Sequence, residues 1–397
     1  MRKDVVEQLW KIALMRQLLL RQAEPRPLRK LVTPQGTEYL DFASASYLGL
    51  SFDSRMTDAL YESAQKNGVF TYCSPVFLRP PKQAQLEEAL AGLTEYQDAV
   101  LFTTVTALHG GVLPALVRHY DIILVDEFAH QSIHDALKIA GTRRIVAFRH
   151  NSVDDVCRLL SGGALGRVRR PLLITDGVFS MSGEVAPLEQ LSAVVSEANG
   201  TLYVDDSHGF GVLGKDGEGL SRLLSRLPCD SLYVASMSKA LATPVAFVAT
   251  DRRTASLLRT QAHTCLFSGN VPIVFLDVAA VALNILTSKE GAVLRERLAS
   301  NVEALTCRLR QMGGKAIYHG GGIVALGVEN SHVFETLCLS LDDRLIAFNP
   351  VMFPAIPKGE FRARFCLSAS HSLADIENVV SSLKSADAMG SRPSPSR

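Results

Sequence analysis

No apolar run in this 397-residue chain is long enough to cross a bilayer, which takes about 20 consecutive apolar residues, so a helical membrane protein is not expected. Charge of one sign is also missing. Lys and Arg total 41 against 40 Asp and Glu, and a net +1 gives no basis for binding nucleic acid or anchoring through a polybasic patch. Small molecules are the expected partners. Paired cysteines are absent: Cys73, Cys157, Cys229, Cys265, Cys307, Cys338 and Cys366 are scattered, odd in number and without a CxxC. That pattern argues against disulfides and against a metal site, and for reduced thiols in the cytoplasm. A secretory leader is disfavoured because Glu7, Lys11 and Arg16 interrupt the first apolar stretch and no small-residue cleavage site follows. Asp4–Leu20 reads instead as a helix with an apolar stripe of Val5, Leu9, Ile12, Met15 and Leu19, suited to a neighbouring subunit or a membrane surface.

What is present is an α/β pattern. Hydrophobic content of 47% with 7% aromatics, at this length, fits an enzyme with a large and a smaller domain. Pro25, Pro27 and Gly36 mark an irregular connection before a first strand at Glu38–Phe42, and helices are expected at Asp53–Asn67 and Lys82–Tyr96. From Ala99, short apolar runs (Ala99–Phe102, Ile122–Val125, Arg144–Phe148, Pro171–Thr175, Leu202–Val204) alternate with segments of helical spacing (Val105–Arg118, His130–Ile139, Val153–Leu160, Leu188–Ala198). Ser231–Ala235 and Ala246–Thr250 complete a mostly parallel sheet sandwiched by helices, with one antiparallel edge. The domain reading is an N-terminal helix and arm (1–50), a large domain (51–270), a smaller C-terminal α/β domain with linking helices (271–386) and a disordered tail (387–397). Its linking helices are Val271–Thr287 and Ala292–Met312, and its last helix is Leu373–Ser385.

In open parallel sheets ligands sit at the carboxyl ends of strands, and several of those ends carry reactive residues. Ser236-Met-Ser-Lys239 follows one strand. A lysine there is costly to bury unless its charge is used or removed, and a Schiff base to pyridoxal phosphate removes it, with the serine hydroxyls near the phosphate. A surface-loop lysine is the plainer and, on those four residues alone, the favoured reading. Thr201–Val204 runs into Asp205-Asp-Ser-His208, where Asp205 can pair with a protonated pyridine nitrogen and His208 can reach the phenolic oxygen; a loop cap and a packed turn histidine are the plainer alternatives. Asp205 and Lys239 together favour the cofactor. His130, after Ile122–Val125, is placed to stack on the ring, although a lone histidine there is more often structural and only its company reverses that, and Thr104-Val-Thr106 opens a helix whose N–H groups can cradle a phosphate or simply be N-capped.

Three segments carry a family resemblance. Asp176-Gly-Val-Phe-Ser180-Met-Ser-Gly183, Val204-Asp-Asp-Ser-His-Gly-Phe-Gly-Val-Leu-Gly214 and Ser236-Met-Ser-Lys239-Ala resemble the α-oxoamine synthases, fold-type I pyridoxal phosphate (PLP) enzymes, over roughly residues 30 to 385. Phe353-Pro-Ala-Ile-Pro357 and Arg362-Ala-Arg364-Phe-Cys-Leu-Ser-Ala-Ser-His371 are most similar to the serine palmitoyltransferase branch. The resemblance implies a decarboxylative Claisen condensation of an amino acid with an acyl-CoA or acyl-carrier-protein thioester, giving an α-aminoketone. It implies Lys239 as Schiff-base lysine and base, Asp205 on the ring nitrogen, His130 stacked on the ring, and Ser180 and His208 at the phenolic oxygen. Thr104, Val105, Thr106 and Ser236 fall at the phosphate, Ser268 at the phosphate of a partner subunit in a homodimer, and Arg364 at the substrate carboxylate. Arg362 reads as a surface arginine. Departures from the family pattern fall at Ala45-Ser46, Tyr72–Phe77, Gln83, Val105, Ala242, Val245, Ala246 and Ser268-Gly269. They leave transamination, aldol cleavage and a non-catalytic subunit of a heteromeric synthase as alternatives, and make an unusual acyl donor a reasonable expectation. Val105, where the family has glycine, is expected to resist a positive φ.

Overall fold

Seven strands form the central sheet: β1 (Asp98–Phe102), β2 (Ile122–Asp126), β3 (Ile145–Phe148), β4 (Pro171–Asp176), β5 (Thr201–Asp205), β6 (Asp230–Ser236) and β7 (Ala246–Thr250). Their order is β1-β7-β6-β5-β4-β2-β3. The structure, a computed structural model, describes residues 18–70, 73–75, 77–141, 144–161, 170–314 and 317–390. The expected helix Asp4–Leu20 lies outside them except for Leu18–Leu20, which form a bend.

All seven expected strands are present, yet the antiparallel one is interior rather than at an edge: β7 pairs antiparallel with both β1 and β6. The cause is chain length. Only Met237–Val245 separates β6 from β7, closed by a hydrogen bond from Met237 N to Val245 O, and a crossover to a parallel neighbour needs a dozen or more residues. Side chains alternate across the sheet. Val100, Phe102, Ile123, Val125, Leu172, Ile174, Tyr203 and Val234 share one core with helices α1 (Val105–Leu116) and α2 (Gln131–Ala140). Every residue of β5 is buried, in keeping with the apolar run Leu202–Val204 at its centre.

The chain folds as two units. The larger comprises residues 53–179 and 185–293, and the smaller residues 1–52, 180–184 and 294–397. The boundary placed at residue 270 therefore falls within the helix Lys289–Gln311, and the N-terminal arm joins the smaller unit. That unit has two four-stranded sheets. One contains Glu24–Arg26, Lys30–Val32, Glu38–Asp41 and Ile346–Ala347; the other contains Ile317–Gly320, Ile323–Val328, Phe361–Cys366 and Asn349–Val351.

The stretch expected to be irregular is thus a hairpin, turned by Leu28 and Arg29 at φ +58° and +56°. Arg29 tolerates that backbone because its Nη2 donates to Asp41 O at 2.7 Å and Ser44 O at 2.9 Å. The last helix runs Leu373–Gly390, so residues 387–390 of the expected disordered tail are helical, in keeping with Ala386, Ala388 and Met389 as helix formers; residues 391–397 lie outside the described ones.

Candidate active site

In the larger unit, neighbouring parallel strands β2, β4 and β5 each end in an aspartate, Asp126, Asp176 and Asp205, and β6 ends in Ser236. Asp205 is buried. Its Oδ2 lies 2.9 Å from His109 Nε2, and its Oδ1 accepts from Ser207 N at 3.0 Å. Burial pushes this carboxyl up, but the hydrogen bond and charge of His109, with the charge of Lys239, outweigh it and hold Asp205 well below the usual carboxylate range. Asp176 pairs with it across the strands and goes the other way. Burial first, then the charge of Asp205, raises Asp176 well above its ordinary value.

His130 forms the N-cap of α2. Its Nδ1 accepts from Ser132 N at 3.3 Å and lies 2.7 Å from Ser132 Oγ, while its own N–H donates to Asp176 Oδ1 at 3.1 Å. Burial lowers its pKa, opposed by Asp205 and reinforced by Lys239, so the ring is neutral at pH 7 and its orientation is fixed through Nδ1. Lys239 is half-buried in the turn after β6. The hydroxyls of Ser236 and Ser238 lie 2.7 Å apart, and Ser238 N donates to Ser236 Oγ at 3.3 Å.

Thr104 caps α1, its Oγ1 accepting from Ala107 N at 3.1 Å, which leaves the amides of Val105 and Thr106 in the first turn without intrahelical partners. Val105 starts the helix and has no positive φ, so the strain expected there does not arise. It arises at Ala242 instead, at φ +51°. His208 is buried in the turn after β5, and Ser268 Oγ donates to Thr264 O.

Asp206, one residue beyond Asp205, turns to the other face of the sheet. There its Oδ2 accepts from Leu220 N at 2.7 Å and from the Tyr233 hydroxyl at 3.0 Å. Its Oδ1 is buried with no hydrogen-bond partner among the described residues, and burial pushes the carboxyl up to about 7. Glycine is required beside it, since a Cβ at Gly209 would lie 2.1 Å from Asp206 Oδ1.

In the smaller unit, Arg364 is buried on the strand Phe361–Cys366. Its Nε donates to Ser180 O at 2.6 Å and its Nη1 to Asn349 Oδ1 at 2.6 Å, while Nη2 has no hydrogen bond among the described residues. Two anchored nitrogens fix the guanidinium and leave a third that could donate to a carboxylate. Arg362, expected at the surface, is buried too: it stacks on Tyr318 at 4.5 Å and pairs with Glu360 at 2.9 Å.

Residues 37–383 match the family model described as aminotransferase class I and II. An 8-amino-7-oxononanoate synthase from Geobacter sulfurreducens is 32% identical, covering 89% of this chain and 90% of that protein. One from Symbiobacterium thermophilum is 31% identical, covering 89% and 92%. A serine palmitoyltransferase from S. paucimobilis, solved with bound PLP and myriocin, superposes with a TM-score of 0.86 at 25% identity, covering 98% of each chain. The chain belongs to the α-oxoamine synthases, within the class I and II aminotransferase family.

As an α-oxoamine synthase, the enzyme depends on PLP and condenses an amino acid with an acyl thioester, with loss of carbon dioxide. The residues of the larger unit fit that cofactor. Asp205 is a buried carboxylate held ionised for a protonated ring nitrogen, and the first-turn amides of α1 are available for a phosphate. Ser207 Oγ, beside Asp205, is buried with no partner among the described residues. The sequence pattern gives no role to four polar residues of the synthase: His109, Tyr203, Asn349 and Asp176, the last present in it only as part of a motif. The signals were present but faint. His109 is a lone histidine in an apolar helix, and Tyr203 lies two positions before Asp205, hence on the same strand face.

Proposed function

We propose that Lys239, Asp205, His130 and His208 form the reacting centre of this synthase. Thr104, Val105, Thr106, Ser236, Ser180 and Ser268 hold the cofactor, and Arg364 takes the amino-acid carboxylate. The observation that carries this reading is Asp205, a buried carboxylate at a strand end kept ionised by His109 and by the charge of Lys239. Bound PLP supplies an electron sink for negative charge at the substrate α-carbon. Lys239 Nζ would hold the cofactor and, with substrate bound, would accept the α-proton. Asp205 keeps a proton on the ring nitrogen. Neutral His130, fixed through Nδ1, offers a flat face for stacking, and Arg364 Nη2 orients the carboxylate that leaves as carbon dioxide.

The reaction balances as amino acid plus acyl thioester giving α-aminoketone, carbon dioxide and free thiol. The relatives' printed product, with amine and ketone on adjacent carbons, belongs to this class. The acyl donor is an acyl-CoA or an acyl-carrier-protein thioester, and the working form is a cytoplasmic homodimer. Exposed Phe77, Leu78 and Phe267 support the dimer, and the carbonyls of Cys73 and Leu78 accept from Asn270, which ties their segments to the one that follows Phe267. The test incubates purified protein with PLP, single amino acids and acyl-CoA or acyl-carrier donors, following thiol release and product mass. An α-aminoketone, lost in Lys239→Ala, is expected. Ketoacid or aldehyde without thiol release would instead establish transamination or aldol cleavage.

A further inference from the structure

His109 lies behind the candidate site, fully buried on α1, and the reaction does not call for it by chemistry alone. Its two nitrogens are both engaged: Nε2 is 2.9 Å from Asp205 Oδ2 and Nδ1 is 2.7 Å from the Tyr203 hydroxyl. The arrangement follows from strand periodicity. Tyr203 and Asp205 stand two apart on β5, point to the face covered by α1, and are bridged there by one imidazole. Asp205 can only accept in this pair, so Nε2 carries the proton and donates to it. Tyr203 is buried, and burial followed by the charge of Asp205 holds its phenol protonated, far above the ordinary range. Among the described residues, the other titratable groups acting on this region include Lys239 from the turn after β6, Asp176 from β4, Asp126 from β2, His130 at the start of α2 and Asp206, one residue beyond Asp205.

We propose that His109 and Tyr203 are positioning residues: Tyr203 fixes the imidazole, and His109 holds Asp205 oriented and charged for the cofactor's ring nitrogen. This rests on the reading that Asp205 takes that nitrogen. Without His109, its hydrogen bond to Asp205 Oδ2 is lost, burial acts on Asp205 with less opposition, and the carboxyl's pKa moves up, which weakens its hold on a protonated ring nitrogen.

The test measures PLP dissociation constants and the pH midpoint of the bound cofactor's visible band for the full-length chain, together with melting of the cofactor-free protein. His109→Leu is expected to weaken PLP binding ~10–100-fold and to move the band midpoint. Tyr203→Phe removes one hydroxyl without changing the ring, and should act in the same direction by ~3–10-fold. His109→Gln, whose amide can still donate to Asp205, should recover most of the affinity. The proposal is overturned if His109→Leu and Tyr203→Phe both keep the midpoint and stay within about two-fold in affinity, even with lowered melting; the pair would then serve packing alone. A wild-type protein that takes up no PLP overturns the functional reading as well, which separates that failure from this one.

Discussion

Replacing Asp206 by asparagine should remove a pH dependence of stability built into the back of the site. In the folded chain this carboxyl is pushed from its ordinary 3.8 up to about 7, with burial as the main cause. Between those values the folded state keeps a proton that the unfolded chain has lost, so stability falls as pH rises and the fall is complete above pH 7. At about 1.36 kcal/mol per pKa unit, the loss is on the order of 4 kcal/mol. Two hydrogen bonds, from Leu220 N and the Tyr233 hydroxyl, reach Oδ2, and asparagine can accept both through its carbonyl oxygen. Urea unfolding of wild type and Asp206→Asn across that pH range isolates this group, because Asp176 and Asp205 titrate in both proteins. The difference between the two should shift toward the variant by about 4 kcal/mol from acid to neutral pH. Parallel pH profiles would refute the argument.

Two further substitutions probe the turn after Lys239 and the carboxylate receptor. Ala242→Gly relieves a left-handed backbone worth about 1–2 kcal/mol and returns about 0.4–1 through the freer unfolded chain. The apparent melting temperature should rise by about 2–4 °C per kcal/mol gained, and an unchanged or lower value would show that the turn is not strained. Arg364→Lys replaces a planar fork with a point charge and loses the anchors to Ser180 O and Asn349 Oδ1. The amino-acid KM should increase ~10–100-fold with PLP affinity retained, and a KM unchanged in steady-state assays would remove Arg364 from the substrate site.

The strands were legible because a sheet buried on both faces writes each of them as a continuous apolar run. Strand direction is not written in such a run. The inward place of β7 depends on the short turn through Lys239, a matter of loop length rather than hydrophobicity. The hairpin at Glu24–Val32 escaped notice because its left-handed turn uses Leu28 and Arg29 instead of glycine, with Arg29 held by carbonyls more than ten residues away. Reactive residues at strand ends could be read directly from the chain, since Asp205, Lys239 and His130 each follow a recognisable strand. Their supports could not. His109 reaches Asp205 from a different element, and nothing local in an apolar helix distinguishes a bridging histidine from a packed one.

The two adjacent carboxyls at the end of β5 are shifted in opposite directions because a single peptide step turns them to opposite faces. Chain length there is consequently as informative as composition. Deleting one residue between Gly200 and Asp205 would carry Asp206 toward His109 and Asp205 toward the Tyr233 hydroxyl, exchanging the directions of shift without altering either residue. Length variation in this segment should therefore be tolerated far less than substitution, and a pair of compensating one-residue changes around β5 should restore what either alone destroys.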